Sequence, residues 1–142
     1  MLVTVINAQR ALPIDTARVT RLARCAMRRL RIRERGTLAI TFIDDRRMRT
    51  LNKRFLRHDR ATDVLSFRYD GAGGPQRQIV GEILIAPQQA RRYAAAHKIS
   101  YAEELSRYVV HGLLHWLGHE DRTTAQQKAM RQREDRVLAK CL

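Results

Sequence analysis

Long apolar runs are missing from this chain of 142 residues. No segment approaches the roughly 18 consecutive apolar residues of a membrane-spanning helix, which argues against a membrane-embedded protein. The start, Met1 to Asn7, lacks a basic region and a small-residue cleavage site, so it reads as a first strand rather than a secretory signal. Cysteine is nearly absent. Cys25 and Cys141 share no metal-binding or redox spacing, and the plain expectation is two free thiols in a cytoplasmic protein. Aromatics are scarce, with three Phe, four Tyr and one Trp, so extensive stacking of nucleobases is not expected. Acids are outnumbered: 14 Asp and Glu face 28 Lys and Arg, a net charge of +14. A GC-rich genome explains why Arg outnumbers Lys, but not the excess of positive charge. Such a field attracts polyanions, and the planar fork of Arg suits phosphate. An anionic membrane surface is the weaker partner, because no lipid-facing helix is evident.

What is present fits one domain over residues 1–142, with 44% hydrophobic residues to build a core. Strands are expected at 2–6, Thr37–Ile43, Thr62–Phe67 and Ile79–Ile85. Pro13 and Asp15 open a helix to about Leu30, with Val19, Leu22, Ala23, Ala26, Met27 and Leu30 at helical spacing and Arg18, Arg21, Arg24 and Arg28 on the other side. Asp44 or Asp45 caps a polar helix through Leu56, and Pro87 begins another to His97. Ser100 with Glu103 forms a capping box for a fourth helix, and Thr123 or Thr124 opens a fifth toward Leu138. Tyr69–Gln78, rich in glycine, is a loop too irregular for a phosphate-binding fingerprint. The expected fold class is α+β, a mixed sheet of about four strands with about five helices.

The most informative segment is Val109-Val110-His111-Gly112-Leu113-Leu114-His115-Trp116-Leu117-Gly118-His119-Glu120-Asp121. His111 and His115 stand four apart, so a helix places them on one face where both imidazoles reach one point. Their neighbours are apolar, and a buried polar ring without a partner costs about 1–3 kcal/mol. One divalent metal, most simply zinc, accounts for both. A third ligand must come from beyond Gly118, which can end the helix in a left-handed turn. Asp121 is favoured, with His119 the alternative; on a continuing helix His119 would lie about 12 Å from His111 along the axis. Zinc peptidases of the H-E-x-x-H type carry a general-base Glu after the first His. Here that position is Gly112, which argues against a protein substrate.

These same residues, His111 to Asp121, resemble the signature H-G-x-L-H-L-x-G-[H/Y]-D-H of the YbeY family, bacterial ribosomal-RNA maturation factors also described as endoribonucleases. Leu51-Asn52 followed by Thr62-Asp63-Val64-Leu65-Ser66-Phe67 is similar to that family's L-N…T-D-V-L-S-F, and Gly81-Glu82-Ile83-x-Ile85 to its G-D-I-x-I. The resemblance implies a zincin-like, metalloprotease-like α+β fold with its metal helix packed on the sheet. It implies one divalent ion, usually taken as zinc, and single-strand-specific cleavage in maturation of the 3′ end of small-subunit ribosomal RNA. A role in ribosome quality control, with the small subunit and its assembly factors as partners, is implied too. The family's helical ligands fall on His111 and His115, and its third histidine falls on Asp121, whose carboxylate can ligate zinc and shifts preference toward harder metals. The family's basic residue after L-N falls on Leu56, leaving Arg54 and Arg57 as the candidate phosphate contacts. No side chain is singled out as catalytic beyond the metal-bound water. Asp63 and Glu82 could support a ligand histidine, or cap and pair with Arg. The competing expectations are a ribosome-assembly or RNA-binding factor whose metal is mainly structural, and a hydrolase of a non-nucleic substrate.

Overall fold

A computed structural model describes residues 1–56, 62–69 and 78–142. Among them run β1 (Leu2–Asn7), α1 (Thr16–Arg29), β2 (Thr37–Phe42), α2 (Asp45–Leu56), β3 (Val64–Arg68), β4 (Ile79–Ile85), α3 (Pro87–His97), α4 (Tyr101–Trp116) and α5 (Thr124–Cys141). The strands form one mixed sheet in the order β1-β2-β4-β3. β1 and β4 both pair parallel to β2, and β3 pairs antiparallel to β4. The class is α+β, as the alternating patterns indicate. The glycine-rich stretch 70–77 and Arg57 lie outside the described residues.

Local chemistry sets the element ends. Asp15 caps α1 by accepting the Arg18 amide at 3.0 Å, and Asp44 caps α2 by accepting that of Arg47 at 2.8 Å. β3 begins at Val64 rather than Thr62, because the Asp63 carboxylate turns to accept the Val64 amide at 2.8 Å. Ser100 accepts the Glu103 amide at the head of α4, whereas a reciprocal capping box closes at α5 between Thr123 and Gln126. At the far end of α4, Gly118 adopts φ +99°. The Gly118 amide bonds the His115 carbonyl at 2.9 Å and the His119 amide bonds that of Leu114 at 3.0 Å, the two bonds of a Schellman stop.

Alternation along the strands builds two apolar layers. Leu38, Ile40, Phe42, Ile83 and Ile85 face α1, α4 and α5, and these join Val109, Leu113 and Leu114 in the main core. The opposite face carries a smaller cluster of Ile43, Met48, Leu65, Leu84 and Ala86. α4 lies against both β3 and β4. It approaches closely at Gly112, where an added Cβ would stand 2.5 Å from a methyl of Ile83. The Ser66 hydroxyl donates to the Gly112 carbonyl at 2.9 Å, pinning the helix there. The glycine that replaces a peptidase-type glutamate therefore serves packing.

The two cysteines are not free. Cys25 on α1 and Cys141 at the end of α5 form a disulfide with Cα atoms 5.7 Å apart. α5 runs past Leu138 to Cys141 and packs on α1, which brings together residues 116 apart in sequence, a pairing no local motif could announce. Closing so long a loop restricts the unfolded chain strongly, and a native bridge of this kind contributes about 2–4 kcal/mol. Urea unfolding of oxidised protein, reduced protein and a Cys141→Ser variant is expected to separate the first from the other two by about that amount, with the reduced form and the variant coinciding.

Candidate metal centre

The last turn of α4 and the loop after it converge on one point. His115 Nε2 lies 2.9 Å from His111 Nε2. The Asp121 Oδ2 atom is 3.4 Å from His111 Nε2 and 3.3 Å from His115 Nε2. In a triangle this small, one ion at about 2.0–2.2 Å from each corner touches all three. His111, His115 and Asp121 are the one His, Cys, Asp or Glu group among the described residues whose ligand atoms all lie within 4.8 Å of one another. The Schellman stop explains the third member: reversal at Gly118 returns the chain so that Asp121 folds over the pair. His119 does not join them. It lines a cavity of about 280 Å³ with His115 and Arg122, where burial and the charge of Arg133 depress its pKa.

One residue that sequence reasoning missed completes the arrangement. The Glu134 carboxylate meets His111 Nδ1 at 2.5 Å. Its other oxygen accepts from Arg107 at 2.9 Å, and Arg107 also donates to Asp135 at 2.7 Å. Glu134 is 4% exposed. Holding the proton on Nδ1 leaves the Nε2 lone pair of His111 turned toward His115 and Asp121, the tautomer that a ligand requires. Burial lowers the His111 pKa, but the hydrogen bond and charge of Glu134 outweigh it, so the ring is more basic than an ordinary histidine. The signal was present in the sequence: Met130, Glu134, Val137 and Leu138 share the buried side of α5, so Glu134 is an acid on an apolar face.

The other candidates fall elsewhere. Asp63 caps β3 and Glu82 accepts from the Tyr69 hydroxyl at 3.0 Å, so neither is seen to hydrogen-bond a histidine of the cluster, although the Asp63 charge adds to that of Glu134 in raising the His111 pKa. Arg54 is exposed near the end of α2 with its guanidinium 5.5 Å from the Phe55 ring centre, and it does not line the cavities beside His111 or His115. Among the described residues, Arg107 and Arg131 line the cavity that holds His111 and Asp121, Arg122 lies in the His115 cavity, and Arg29, Arg133, Arg136 and Lys140 share a cleft of about 500 Å³ with His119.

An α+β chain with two histidines on one helix, an acid beyond its glycine stop and a carboxylate behind the first histidine has the make-up of a single-ion metalloprotein. Residues 4–142 match the sequence model of the family described as endoribonuclease YbeY, and the chain belongs to that family. An endoribonuclease YbeY of Pelotomaculum thermopropionicum is 33% identical over 147 residues, covering 99% of this chain and 97% of that one. Another, of Flavobacterium psychrophilum, is 36% identical over 103 residues, 72% of this chain and 71% of that protein. The solution structure of TM1509 from Thermotoga maritima shares the fold, with a TM-score of 0.61 over 97% of this chain and 90% of that one at 19% identity.

Removing Glu134's charge by Glu134→Gln should weaken zinc affinity by about 10–100-fold, the usual cost of losing such a partner. Competition with a chromophoric chelator measures it. Asp121→Ala should weaken it further, while His119→Ala leaves it unchanged; the reverse ranking would transfer the third ligand to His119.

Proposed function

We propose that this protein is a metal-dependent endoribonuclease acting on single-stranded ribosomal RNA. The observation that carries the reading is the convergence of His111 Nε2, His115 Nε2 and Asp121 Oδ2 in a protein of net charge +14 that belongs to this family. His111, His115 and Asp121 would hold one divalent ion, with zinc suited to the two imidazoles and the carboxylate. The ion would supply Lewis acidity to a phosphodiester, where charge develops as the bond breaks. Glu134 keeps the His111 proton on Nδ1 and away from the cluster. Arg122, with Arg29, Arg133 and Arg136 beyond it, offers guanidinium groups to phosphates of a bound strand. They stand beside Arg54 as candidate phosphate contacts, and Arg57 lies outside the described residues.

We take as its substrate what the resemblance implies: small-subunit ribosomal RNA near its 3′ end, in maturation and ribosome quality control, with the small subunit and its assembly factors as partners. The compartment is then the cytoplasm, and no described helix is long and apolar enough to cross a membrane. Where thiols are kept reduced the Cys25–Cys141 clasp opens, and the protein works at the lower of its two stabilities.

Cleavage of a single-stranded fragment of that RNA tests the reading. Ribonuclease-free wild type should cut it, lose the activity to a chelator and regain it with added zinc. His115→Ala should fall by at least about 100-fold, the scale of losing an electrostatic catalyst of this kind. RNA binding should weaken steeply with salt. Equal residual cleavage by wild type and His115→Ala would remove the enzyme and leave an RNA-binding assembly factor.

A further inference from the structure

Beside His111 the fold leaves a cavity of about 250 Å³, and its wall differs from the rest of this basic surface. Asp63, Glu104, Asp121 and Glu134 line it, together with Tyr93 and Tyr108. Glu104 is the unusual member. Its side chain is buried, with the residue only 3% exposed, and no hydrogen bond or ion pair reaches its carboxylate among the described residues. Arg107, which lines the same cavity, has its guanidinium engaged by Glu134 and Asp135. Glu104 stands seven residues before His111 on α4, so it lies on the same face about 10.5 Å along the axis. A buried carboxylate with unused acceptors lowers stability unless something supplies donors.

We propose that this cavity receives a nucleobase of single-stranded RNA, and that Glu104 reads it by accepting hydrogen bonds from an amino-bearing edge: cytosine N4, adenine N6, or guanine N2 with N1–H. The inference rests on the ribonuclease reading above and specifies its substrate. With Glu134 engaged by Arg107 and His111 and Asp121 turned to the histidine pair, Asp63 and Glu104 are the carboxylates left to face the cavity and disfavour a phosphate, so the backbone stays outside, where exposed Arg131 stands at the wall. A second divalent ion fits poorly, because the acids of the cavity do not converge as His111, His115 and Asp121 do. A neutral base carrying an exocyclic amine has the matching chemistry: an ionised carboxylate only accepts, and carboxylate to cytosine N4 is an established pairing. Tyr93 and Tyr108 provide ring surface for its flat face. Uracil offers acceptors where cytosine and adenine offer amines, and it is disfavoured. His111 and Asp121 belong to both the cavity and the cluster, so a base seated here brings its own sugar-phosphate to the metal site.

Rapid-mixing anisotropy with labelled C, A and U homopolymers of equal length, on zinc-loaded protein, tests this. Wild type is expected to bind the C and A strands about tenfold more tightly than the U strand, within the discrimination of one good base contact. Glu104→Gln should reduce that ratio to about twofold or less by weakening the C and A strands, with U binding and zinc content unchanged. The substitution is nearly isosteric and removes an unpaired buried charge, so its melting temperature should equal or exceed that of wild type. An unchanged C-to-U ratio, or equal weakening of all three strands, overturns the inference and leaves the ribonuclease reading intact. Absence of salt-sensitive RNA binding by wild type removes both. Two zinc ions per wild-type chain and one in Glu104→Gln would overturn the base pocket in favour of a second metal site.

Discussion

The contact between Glu134 and His111 holds the site together. A pair of histidines one turn apart can point its nitrogens many ways, since each ring has two and rotates about two bonds. The 2.5 Å hydrogen bond from Nδ1 fixes the rotation and the tautomer of His111 at once. It is made by α5, which the chain reaches only after the Schellman stop and the loop that carries Asp121. Docking of α5 on α4 therefore assembles two parts of the site in one step: the loop between them is drawn over the pair, and the carboxylate arrives behind it. Arg107 completes the linkage by spanning Glu134 and Asp135, so Glu134 does not face the interior as an unbalanced charge. The disulfide at the end of α5, where it is formed, ties the same helix to α1.

Charge is divided in a way that the net value hides. The excess of arginine lies on exposed faces, such as Arg18, Arg21, Arg24 and Arg28 along α1. Glu104 and Glu134 are buried instead, beside His111. The long-range field gathers a polyanion, while the short-range chemistry at the centre favours a cation and hydrogen-bond donors. A phosphodiester strand is drawn in by the first and positioned by the second.

Much of this was legible in the residues. Pro87 and Ser100 mark the starts of α3 and α4 because proline and a capping hydroxyl act locally, and Gly118 marks the stop for the same reason. The ligand pair is a matter of helical period alone. Asp121 is reached through a known turn geometry, which is why it and not His119 completes the cluster. What stayed hidden is tertiary. Glu134 lies 23 residues from its partner, and its role depends on how α5 crosses α4. Cys25 and Cys141 look unrelated until that same helix is placed. The resemblance pointed to Arg54 and Arg57 around Leu56, and only packing brings Arg122 and Arg133 into cavities shared with His119.

Aspartate in the third position has a consequence that the neighbouring charges make clear. Two neutral imidazoles with Asp121 and Glu134 carry two negative charges, which balance a dication. Histidine at that position, as the family's pattern has it, would leave the same assembly one charge more positive. The balanced version is easier to hold in a partly buried site, since no net charge is left to be solvated. The same balance would lower the ion's pull on a substrate oxygen, and a hard oxygen ligand would make the site more tolerant of harder metals than three imidazoles, while remaining within the ligand sets that zinc accepts. Tight retention and strong Lewis acidity would thus pull in opposite directions, and an aspartate in this position favours the first. Arg122 and Arg133 line cavities that also hold His115 or His119, so under the proposed function part of the stabilisation of a cleaving phosphodiester would fall to these guanidinium groups rather than to the ion.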